Sequence, residues 1–270
     1  MMIEPGHMNR QFWRKAWRFR ELFIVLAWRD FAVRYKQTVI GFGWAVVKPF
    51  LTMIVLTVVF GNLAKLPAPD GVPYPILVFS GLLAWNLFSN LIGEGGGSLL
   101  VNANLISKVY FPRILIPAAS LLVAFLDFLI NLGVLFSIMV VYWYLPDWHV
   151  LFLPLFVVLA LVCAFGPALL LAALTVKYRD LRNVWPFILQ LGLYVSPIGF
   201  SSSVVPEKWR LLYSLNPMVG VVDGFRWSLL RGQGGLDLAG VGLSIAIGGV
   251  VFWLGLQTFR KAERTFADLI

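Results

Sequence analysis

The residue with the clearest capacity for chemistry is Asp127, a carboxylic acid inside a long apolar stretch. Asn131 follows one helical turn later. Ionisable side chains inside a membrane are costly, and they often relay protons or line the path of an ion. A relay normally needs several such groups, whereas Glu94 stands at the boundary of its apolar run. The pattern favours a structural role for Asp127, bonded to Asn131 or a neighbouring helix, with a proton-coupled carrier as the alternative.

The sequence contains no residue pattern typical of a disulfide, a metal site or a nucleotide-binding loop. Cys163 is the single cysteine, and His7 and His149 lie far apart, so we predict no intrachain disulfide and no metal site. No segment matches G-x-x-x-x-G-K-[ST], the loop whose backbone N–H groups hold nucleotide phosphates. We therefore predict a chain that is not an enzyme and carries no cofactor. If ATP drives it, another polypeptide binds the nucleotide.

Six apolar stretches account for most of the chain. Hydrophobic residues form 60% of the 270 residues and charged residues only 13%, against about 25% charged residues in soluble domains. A membrane-spanning helix needs ~20 mostly apolar residues. The sequence predicts an all-α integral membrane protein, a single domain over residues 1–270, with spans at 44–64, 75–93, 114–145, 151–176, 185–200 and 238–259.

The basic residues predict the orientation of these spans. Lys and Arg concentrate on the cytoplasmic side of membrane proteins. With a cytoplasmic N-terminus, six spans place 16 Lys and Arg residues inside and 5 outside, with Lys48 at the membrane boundary. Both termini are therefore predicted to be cytoplasmic. The net charge of +9 is then explained by the basic residues on the cytoplasmic side of the membrane, and no nucleic-acid partner is expected.

Residues 10–37 predict a helix that lies along the cytoplasmic membrane surface. Trp13, Trp17 and Trp28 recur at helical spacing, and basic residues such as Arg14 and Arg18 fall largely elsewhere on the helix. Tryptophan anchors and cations near lipid head groups are typical of an interfacial helix. A simple membrane anchor is the alternative to a more specific role.

The apolar stretch at 211–230 comes close to being a seventh span. As a crossing it would bury Asp223 and Arg226, and a charge at mid-bilayer costs about 2.5–3.5 kcal/mol. It would also put the basic tail outside. Because Asn216 and Pro217 interrupt the run, residues 206–232 are predicted to form two short helices that enter the outer leaflet and return. A flat interfacial loop is the alternative.

The loop between the second and third spans reads GEGGGSLLVNANLISKVYFPRILIP over residues 93–117. The glycines are predicted to end the second span, and residues 98–109 to form a short amphipathic helix. Asn102, Asn104 and Lys108 face water in that helix. A short helix held between two spans can transmit force into the membrane, although an ordinary loop fits the same residues.

Five short segments carry a family resemblance. They are RYKQTVIGFGWAVVKP (34–49), SKVYFPRILIP (107–117), KYRDLRNV (177–184), SPIGF (196–200) and LNPM (215–218). In this order they resemble the membrane, or permease, subunit of type-2 ABC exporters, in particular the polysaccharide branch that exports lipid-linked O-antigen. Capsule and teichoic acid exporters are close relatives. A drug or small-lipid exporter of the same class is an alternative.

The resemblance implies an ATP-driven exporter in the bacterial inner membrane. Two copies of the chain would form a homodimer with a channel between them. Two copies of a cytoplasmic ABC ATPase subunit would bind below, with ATP and Mg²⁺ on that partner. The substrate would be a glycan on an undecaprenyl diphosphate carrier.

The resemblance also implies roles for individual residues. The helix at 98–109 becomes a coupling helix and the KYRDL loop a second ATPase contact, which gives the coupling residues Asn102, Asn104, Lys108, Tyr110, Phe111, Arg113, Arg179 and Asp180. The helices of 206–232 become an outer gate with Asn216, Pro217, Asp223 and Arg226. Aromatic rings that stack on sugars in the channel would be Phe60, Phe79, Trp85, Phe88 and Tyr194. Basic residues that meet the diphosphate at the entrance would be Arg34, Lys36 and Lys48, with ordinary orientation charges as the alternative.

Overall fold

A computed structural model describes residues 19–36, 43–109, 111–178, 180–263 and 266. Every regular element in these ranges is helical, which confirms the predicted all-α class. In chain order the α-helices are α1 (Arg20–Lys36), α2 (Gly43–Leu56), α3 (Tyr74–Val101), α4 (Ala103–Lys108), α5 (Leu115–Val141), α6 (Leu153–Lys177), α7 (Leu181–Val195), α8 (Glu207–Tyr213), α9 (Pro217–Leu229) and α10 (Leu238–Ala262). A π-helix (Thr57–Leu63) continues α2, a 3-10 helix (Trp148–Phe152) leads into α6, and a short 3-10 turn (Ser202–Val204) precedes α8.

Five helical segments among the described residues are long and apolar enough to cross a membrane. They match five of the predicted spans and lie at Gly43–Leu63, Tyr74–Val101, Leu115–Val141, Trp148–Lys177 and Leu238–Ala262. The predicted span at 185–200 differs, because α7 has 15 residues and ends at Val195. Such a helix rises about 22 Å, less than the ~30 Å hydrocarbon core. Ser196 is extended, as the residue before a proline prefers.

Helix α3 is longer than the sequence predicts, because it continues through the glycine cluster to Val101. Glycine weakens a helix, but here it permits close packing against α6. A Cβ atom on Gly96 would lie 2.2 Å from the Leu171 side chain. The Thr175 hydroxyl donates a hydrogen bond of 2.9 Å to the Gly96 carbonyl oxygen. The separate short helix therefore begins only at Ala103, five residues later than predicted.

Helices α3 and α6 form the centre of the fold, and α10 packs against α6. One face of α6 carries small residues at every fourth position, and these are fully buried: Ala160, Ala164, Ala168 and Ala172. The α6–α10 contact is equally close, because a Cβ atom on Gly255 would lie 2.2 Å from the Gly166 carbonyl oxygen. Small residues let two helix backbones approach in this way, as in many membrane proteins.

The stretch 206–232 contains two short helices, α8 and α9, as predicted. The Asn216 side chain accepts a hydrogen bond of 3.0 Å from the Met218 backbone N–H and so caps α9. Pro217 occupies the first turn, where its missing N–H costs nothing. Helix α9 contacts α3, α6 and α10, and Val221 and Phe225 are fully buried. It therefore belongs to the core.

Helix α1 covers residues 20–36 of the helix predicted over 10–37, and residues 10–18 and 37, with Trp13 and Trp17, lie outside the described residues. It packs against α5. Leu26 and Ala27 are buried, whereas Trp28 is 66% exposed. One side of α1 thus faces the bundle and the other faces its surroundings, as an interfacial helix requires.

Candidate functional site

A cluster of charged side chains joins α1 to α3 and α5. The Arg34 guanidinium donates a hydrogen bond to the Glu94 carboxylate and forms an ion pair with Asp127, with Nη1 2.7 Å from Oδ2. The Tyr35 hydroxyl donates to the other Asp127 oxygen, Oδ1. We call these four residues the Arg34 cluster. It compensates the charge of Asp127, whose side chain is only 5% exposed.

The tyrosine of this cluster is held as a hydrogen-bond donor. Burial raises the pKa of the Tyr35 hydroxyl above its ordinary value, and the neighbouring Asp127 carboxylate raises it further. The hydroxyl therefore keeps its proton at physiological pH. Asp127 thus has two partners on α1, and this arrangement supports the structural interpretation of that residue.

Arg34 and Asp127 also line a cavity of about 730 Å³ between α1, α2, α3, α5 and α7. Two residues predicted at the entrance, Arg34 and Lys48, meet there with two predicted at the channel, Trp85 and Tyr194. Lys48 and Tyr194 are exposed, so the cavity is open to the surface of the single chain. The structure therefore brings together basic and aromatic residues that lie far apart in sequence.

Four carboxamides belong to the same cavity wall, namely Asn86, Asn90, Asn131 and Gln190, and of these the sequence analysis singles out only Asn131, as a partner of Asp127. A signal for two of them exists, because Asn86 and Asn90 are four residues apart and so share one face of an apolar helix. Carboxamides offer both N–H donors and a carbonyl acceptor. The wall can therefore hydrogen-bond to a polar, uncharged group.

The other predicted channel residues lie outside this cavity wall. The Phe88 ring lies beside Trp85, with centroids 5.4 Å apart. Phe60 approaches Phe200, with centroids 6.3 Å apart. Phe79 belongs to the hydrophobic core and is 1% exposed. Lys36 is the last residue of α1, and its side chain lies outside the described part.

Arg226 on α9 is a buried arginine, with 5% exposure. Its guanidinium donates hydrogen bonds to the main-chain carbonyls of Phe200 at 2.8 Å and Ile198 at 2.9 Å. A longer bond of 3.4 Å reaches the Leu77 carbonyl on the first turn of α3. Asp223, one turn earlier on α9, attracts the same guanidinium. Arg226 thus ties α9 to α3 and to the segment after α7.

Two of the segments that carry the family resemblance contact each other beside Arg226. The Asn216 Nδ2 atom of LNPM donates a hydrogen bond of 3.0 Å to the Ser196 hydroxyl of SPIGF. Asn216 therefore caps α9 and also joins it to the end of α7. The residues predicted for the outer gate form one connected unit with the SPIGF segment.

The predicted coupling residues differ in their exposure to solvent. Asn104, Lys108 and Asp180 are exposed, as a docking surface for another protein requires. Asn102 and Phe111 are buried, so the prediction that Asn102 faces water is wrong. Tyr110 and Arg179 lie outside the described residues.

Two of these residues make internal contacts with other helices. Asn102 accepts a hydrogen bond of 2.6 Å from Arg29 on α1. The Arg113 backbone N–H donates to the Glu263 carboxylate at 2.9 Å, and its guanidinium donates to the Glu263 carbonyl oxygen. Arg113 and Asn102 thus link the region around α4 to the end of α10 and to α1.

The family model described as "ABC-2 type transporter" matches residues 21–230. The chain belongs to the ABC-2 type transporter family. This confirms the family that the five segments predict. The matched part of this ABC-2 chain runs from α1 to the end of α9, so it includes the Arg34 cluster, the cavity and Arg226.

Curated relatives resemble this ABC-2 chain over almost its whole length. The O-antigen export system permease protein RfbA of Myxococcus xanthus is 26% identical over 259 residues, which is 95% of this chain and 98% of the relative. RfbA of Klebsiella pneumoniae is 26% identical over 251 residues, 93% of this chain and 95% of that protein. The polysialic acid transport protein KpsM of Escherichia coli is 23% identical over 242 residues, 87% and 91% of the two chains.

Proposed function

We propose that this chain is the permease subunit of an ATP-driven exporter that moves lipid-linked polysaccharide, O-antigen on undecaprenyl diphosphate, across the bacterial inner membrane. The observation that carries the proposal is the end-to-end similarity to permeases of O-antigen export systems, which covers 95% of this chain. The cavity adds chemical support, because it combines aromatic rings with polar side chains inside an otherwise apolar bundle. A long polar glycan needs such a path.

The working assembly would be a homodimer with two cytoplasmic ABC ATPase subunits that carry ATP and Mg²⁺. Support comes from α7, because none of its residues is buried within one chain. Phe187 is 62% exposed and Leu191 50% exposed. A second copy that covered this face would place the open cavity near the dimer axis. Exposed Asn104, Lys108 and Asp180 would meet the ATPase subunits.

Among the basic residues proposed to meet the diphosphate, Lys48 has the more suitable surroundings. Arg34 is already paired with Glu94 and Asp127. Lys48 is exposed on the first turns of α2 and lines the cavity. A flexible ammonium group at a membrane boundary can reach a phosphate as a point charge.

The proposed topology has six spans, with α7 and the residues to 200 as the fifth. Both termini are cytoplasmic, and α8 and α9 form a re-entrant outer gate. Helix α9 supports this arrangement, because protein on three sides covers it, as non-spanning backbone at membrane depth requires.

Cysteine labelling tests the topology in a Cys163→Ala background. Glu207→Cys at the start of α8 should react with a membrane-impermeant maleimide added outside intact cells. Lys261→Cys near the end of α10 should react only after permeabilisation. The opposite pattern would overturn the proposed orientation.

Transport in inverted inner-membrane vesicles tests the function itself. Vesicles that contain this chain, its ATPase and a lipid-linked glycan should move the glycan into the lumen when ATP is added. Capsule polysaccharide is tested as the second candidate substrate, because the chain is also similar to a transporter of a second kind of polysaccharide, the polysialic acid transport protein KpsM. Movement of small lipids or drugs with no movement of either glycan would contradict the proposal.

A further inference from the structure

Three different helices direct carboxamides into the cavity. Asn86 and Asn90 lie on one face of α3, Asn131 lies on α5 and Gln190 on α7. Residues 86 and 90 fall near the middle of α3, where a membrane-spanning segment is farthest from bulk water. Polar groups at that depth are expensive unless they meet other polar groups. The position of these amides therefore points to polar contents in the cavity.

Asn131 supplies a second, independent observation. Its side chain is buried, with 4% of the residue exposed, and it contributes to the cavity wall. Its Nδ2 donates a hydrogen bond of 2.8 Å to the Asp127 backbone carbonyl. Its Oδ1 accepts no hydrogen bond from any residue that the structure describes. A buried acceptor without a partner is destabilising, so this oxygen is suited to a ligand that donates hydrogen bonds.

The charges around the cavity favour an uncharged ligand at this wall. The Arg34 guanidinium is shared between the carboxylates of Glu94 and Asp127. When all three groups are ionised the trio carries a net negative charge, and Lys48, the other cation of the cavity wall, balances it. A sugar hydroxyl both donates and accepts, as a carboxamide does. The rings of Trp85 and Tyr194 provide apolar faces in the same cavity for the C–H faces of a sugar.

We infer that Asn86, Asn90, Asn131 and Gln190 form a binding site for the hydroxyl groups of uncharged sugar units, and that these residues recognise the glycan separately from its lipid diphosphate. This inference rests on the proposed export function. It assigns the sugar to the carboxamides of α3, α5 and α7 and leaves the diphosphate to Lys48 on α2, in another part of the cavity wall. The competing role for the amides is to hold helices together across the bundle.

The test uses the intact permease–ATPase complex in lipid nanodiscs and two probes. One is undecaprenyl diphosphate that carries an oligosaccharide of the host's own glycan, and the other is undecaprenyl diphosphate alone. The concentration that gives half-maximal stimulation of ATP hydrolysis is measured for each probe. Asn86→Leu and Asn90→Leu keep side-chain size and remove the hydrogen-bonding groups.

Each leucine variant should raise the half-maximal concentration of the glycan probe about tenfold, equivalent to about 1.4 kcal/mol. The half-maximal concentration of the carrier alone should not change. Asn62→Leu is the matched control, because Asn62 is exposed and lies outside the cavity wall. Gln190→Leu is a further test variant that should fold normally, because Gln190 is exposed on α7 and its replacement does not change the packing of α3. It keeps the inference testable if the variants of α3 fail to assemble.

The outcomes separate the inference from the proposed function. A selective loss of glycan response in the Asn86, Asn90 and Gln190 variants supports the carboxamide site. Responses within twofold of wild type in assembled variants would overturn the site and leave the export function standing. Equal wild-type responses to both probes would also overturn it. A wild-type complex that responds to neither probe and exports no glycan would contradict the proposed function itself.

Discussion

Arg34 and Arg226 fasten α3 at opposite ends, but they do so with different acceptors. Arg34 reaches the carboxylate of Glu94 in the last third of α3 and that of Asp127 on α5. Arg226 reaches the main-chain carbonyl of Leu77 in the first turn of α3, together with two carbonyls after α7. One end is therefore held by opposite charges and the other mainly by backbone dipoles.

The different acceptors determine how each end of α3 responds to mutation. Side-chain acceptors can be removed one at a time, so the Arg34 cluster can be dismantled in steps. Backbone carbonyls cannot be removed by a side-chain substitution. The hydrogen bonds at the Arg226 end can therefore be tested only by substitution of Arg226 itself. Burial adds to the contrast, because the Arg34 side chain is 35% exposed whereas Arg226 is 5% exposed. Water screens the first charge far more than the second.

Replacement of Arg226 should have the largest effect. Arg226→Met removes the guanidinium that most strongly attracts the Asp223 carboxylate and leaves three carbonyls without their donor. We expect a loss of about 4 kcal/mol in unfolding free energy. Thermal unfolding of the purified complex in detergent measures this loss.

The controls for that prediction are Lys208→Met and Arg226→Lys. Lys208 is exposed on α8, so Lys208→Met should change the unfolding free energy by less than about 0.5 kcal/mol. Arg226→Lys keeps the charge but loses the planar fork, and it should recover only part of the stability. Equal stability of Arg226→Met and Lys208→Met would contradict the structural role of the buried guanidinium.

Replacement of Arg34 should come next in size. Arg34→Gln leaves Glu94 and Asp127 without a cation, and we expect a loss of about 2.5 kcal/mol. Asp127→Asn should cost about 1 kcal/mol, because Glu94 still pairs with Arg34. The variant that carries both Arg34→Gln and Asp127→Asn should lose less unfolding free energy than the two single losses added together, because Arg34 and Asp127 interact with each other.

The same variants decide between the two interpretations of Asp127. In the structural interpretation, Asp127→Asn keeps ATP-driven transport once the complex has assembled. Strict additivity of the two stability losses would contradict the ion pair. Loss of transport in a normally assembled Asp127→Asn complex would favour proton coupling instead.

Two tyrosines sharpen the comparison, with expected effects smaller than those of the two arginines. The Tyr35 hydroxyl donates to the Asp127 carboxylate, whereas the Tyr74 hydroxyl donates to the Gly199 carbonyl at 2.7 Å. A bond to a charged acceptor is the stronger of the two. Tyr35→Phe should therefore cost about 1.5 kcal/mol and Tyr74→Phe about 1 kcal/mol. Thermal unfolding at matched pH checks the order, and a larger loss for Tyr74→Phe would contradict the charge difference between the two ends.

The helical framework could be predicted from the sequence because apolar length and chain breaks are local signals. The start of α9 follows from Asn216 and Pro217, a cap followed by a proline that fits the first turn. The continuation of α3 through its glycines could not be predicted in the same way. It depends on α6, whose Leu171 and Thr175 lie more than seventy residues later and fill the space above Gly96.

The candidate site could be predicted only in its residue types. Asp127 stands out in the sequence as a costly intramembrane charge, but its partners do not. Tyr35 lies 92 residues before Asp127, and Arg34 lies 60 residues before Glu94. No local pattern encodes contacts at such separations. The shared cavity wall of the carboxamides could not be predicted for a related reason, because an isolated Asn or Gln in an apolar run becomes notable only once three helices bring several together.

Export of surface polysaccharide tests the central claim most directly. The chromosomal gene for this chain is deleted, and the wild-type protein or the Arg34→Gln variant is returned at equal expression. Surface glycan is then measured on intact cells, and lipid-linked glycan is measured in the inner membrane. We predict that deletion removes the surface glycan and accumulates the lipid-linked form inside, that wild type restores export, and that Arg34→Gln restores it only in part. Unchanged surface glycan in the deletion strain would contradict the account.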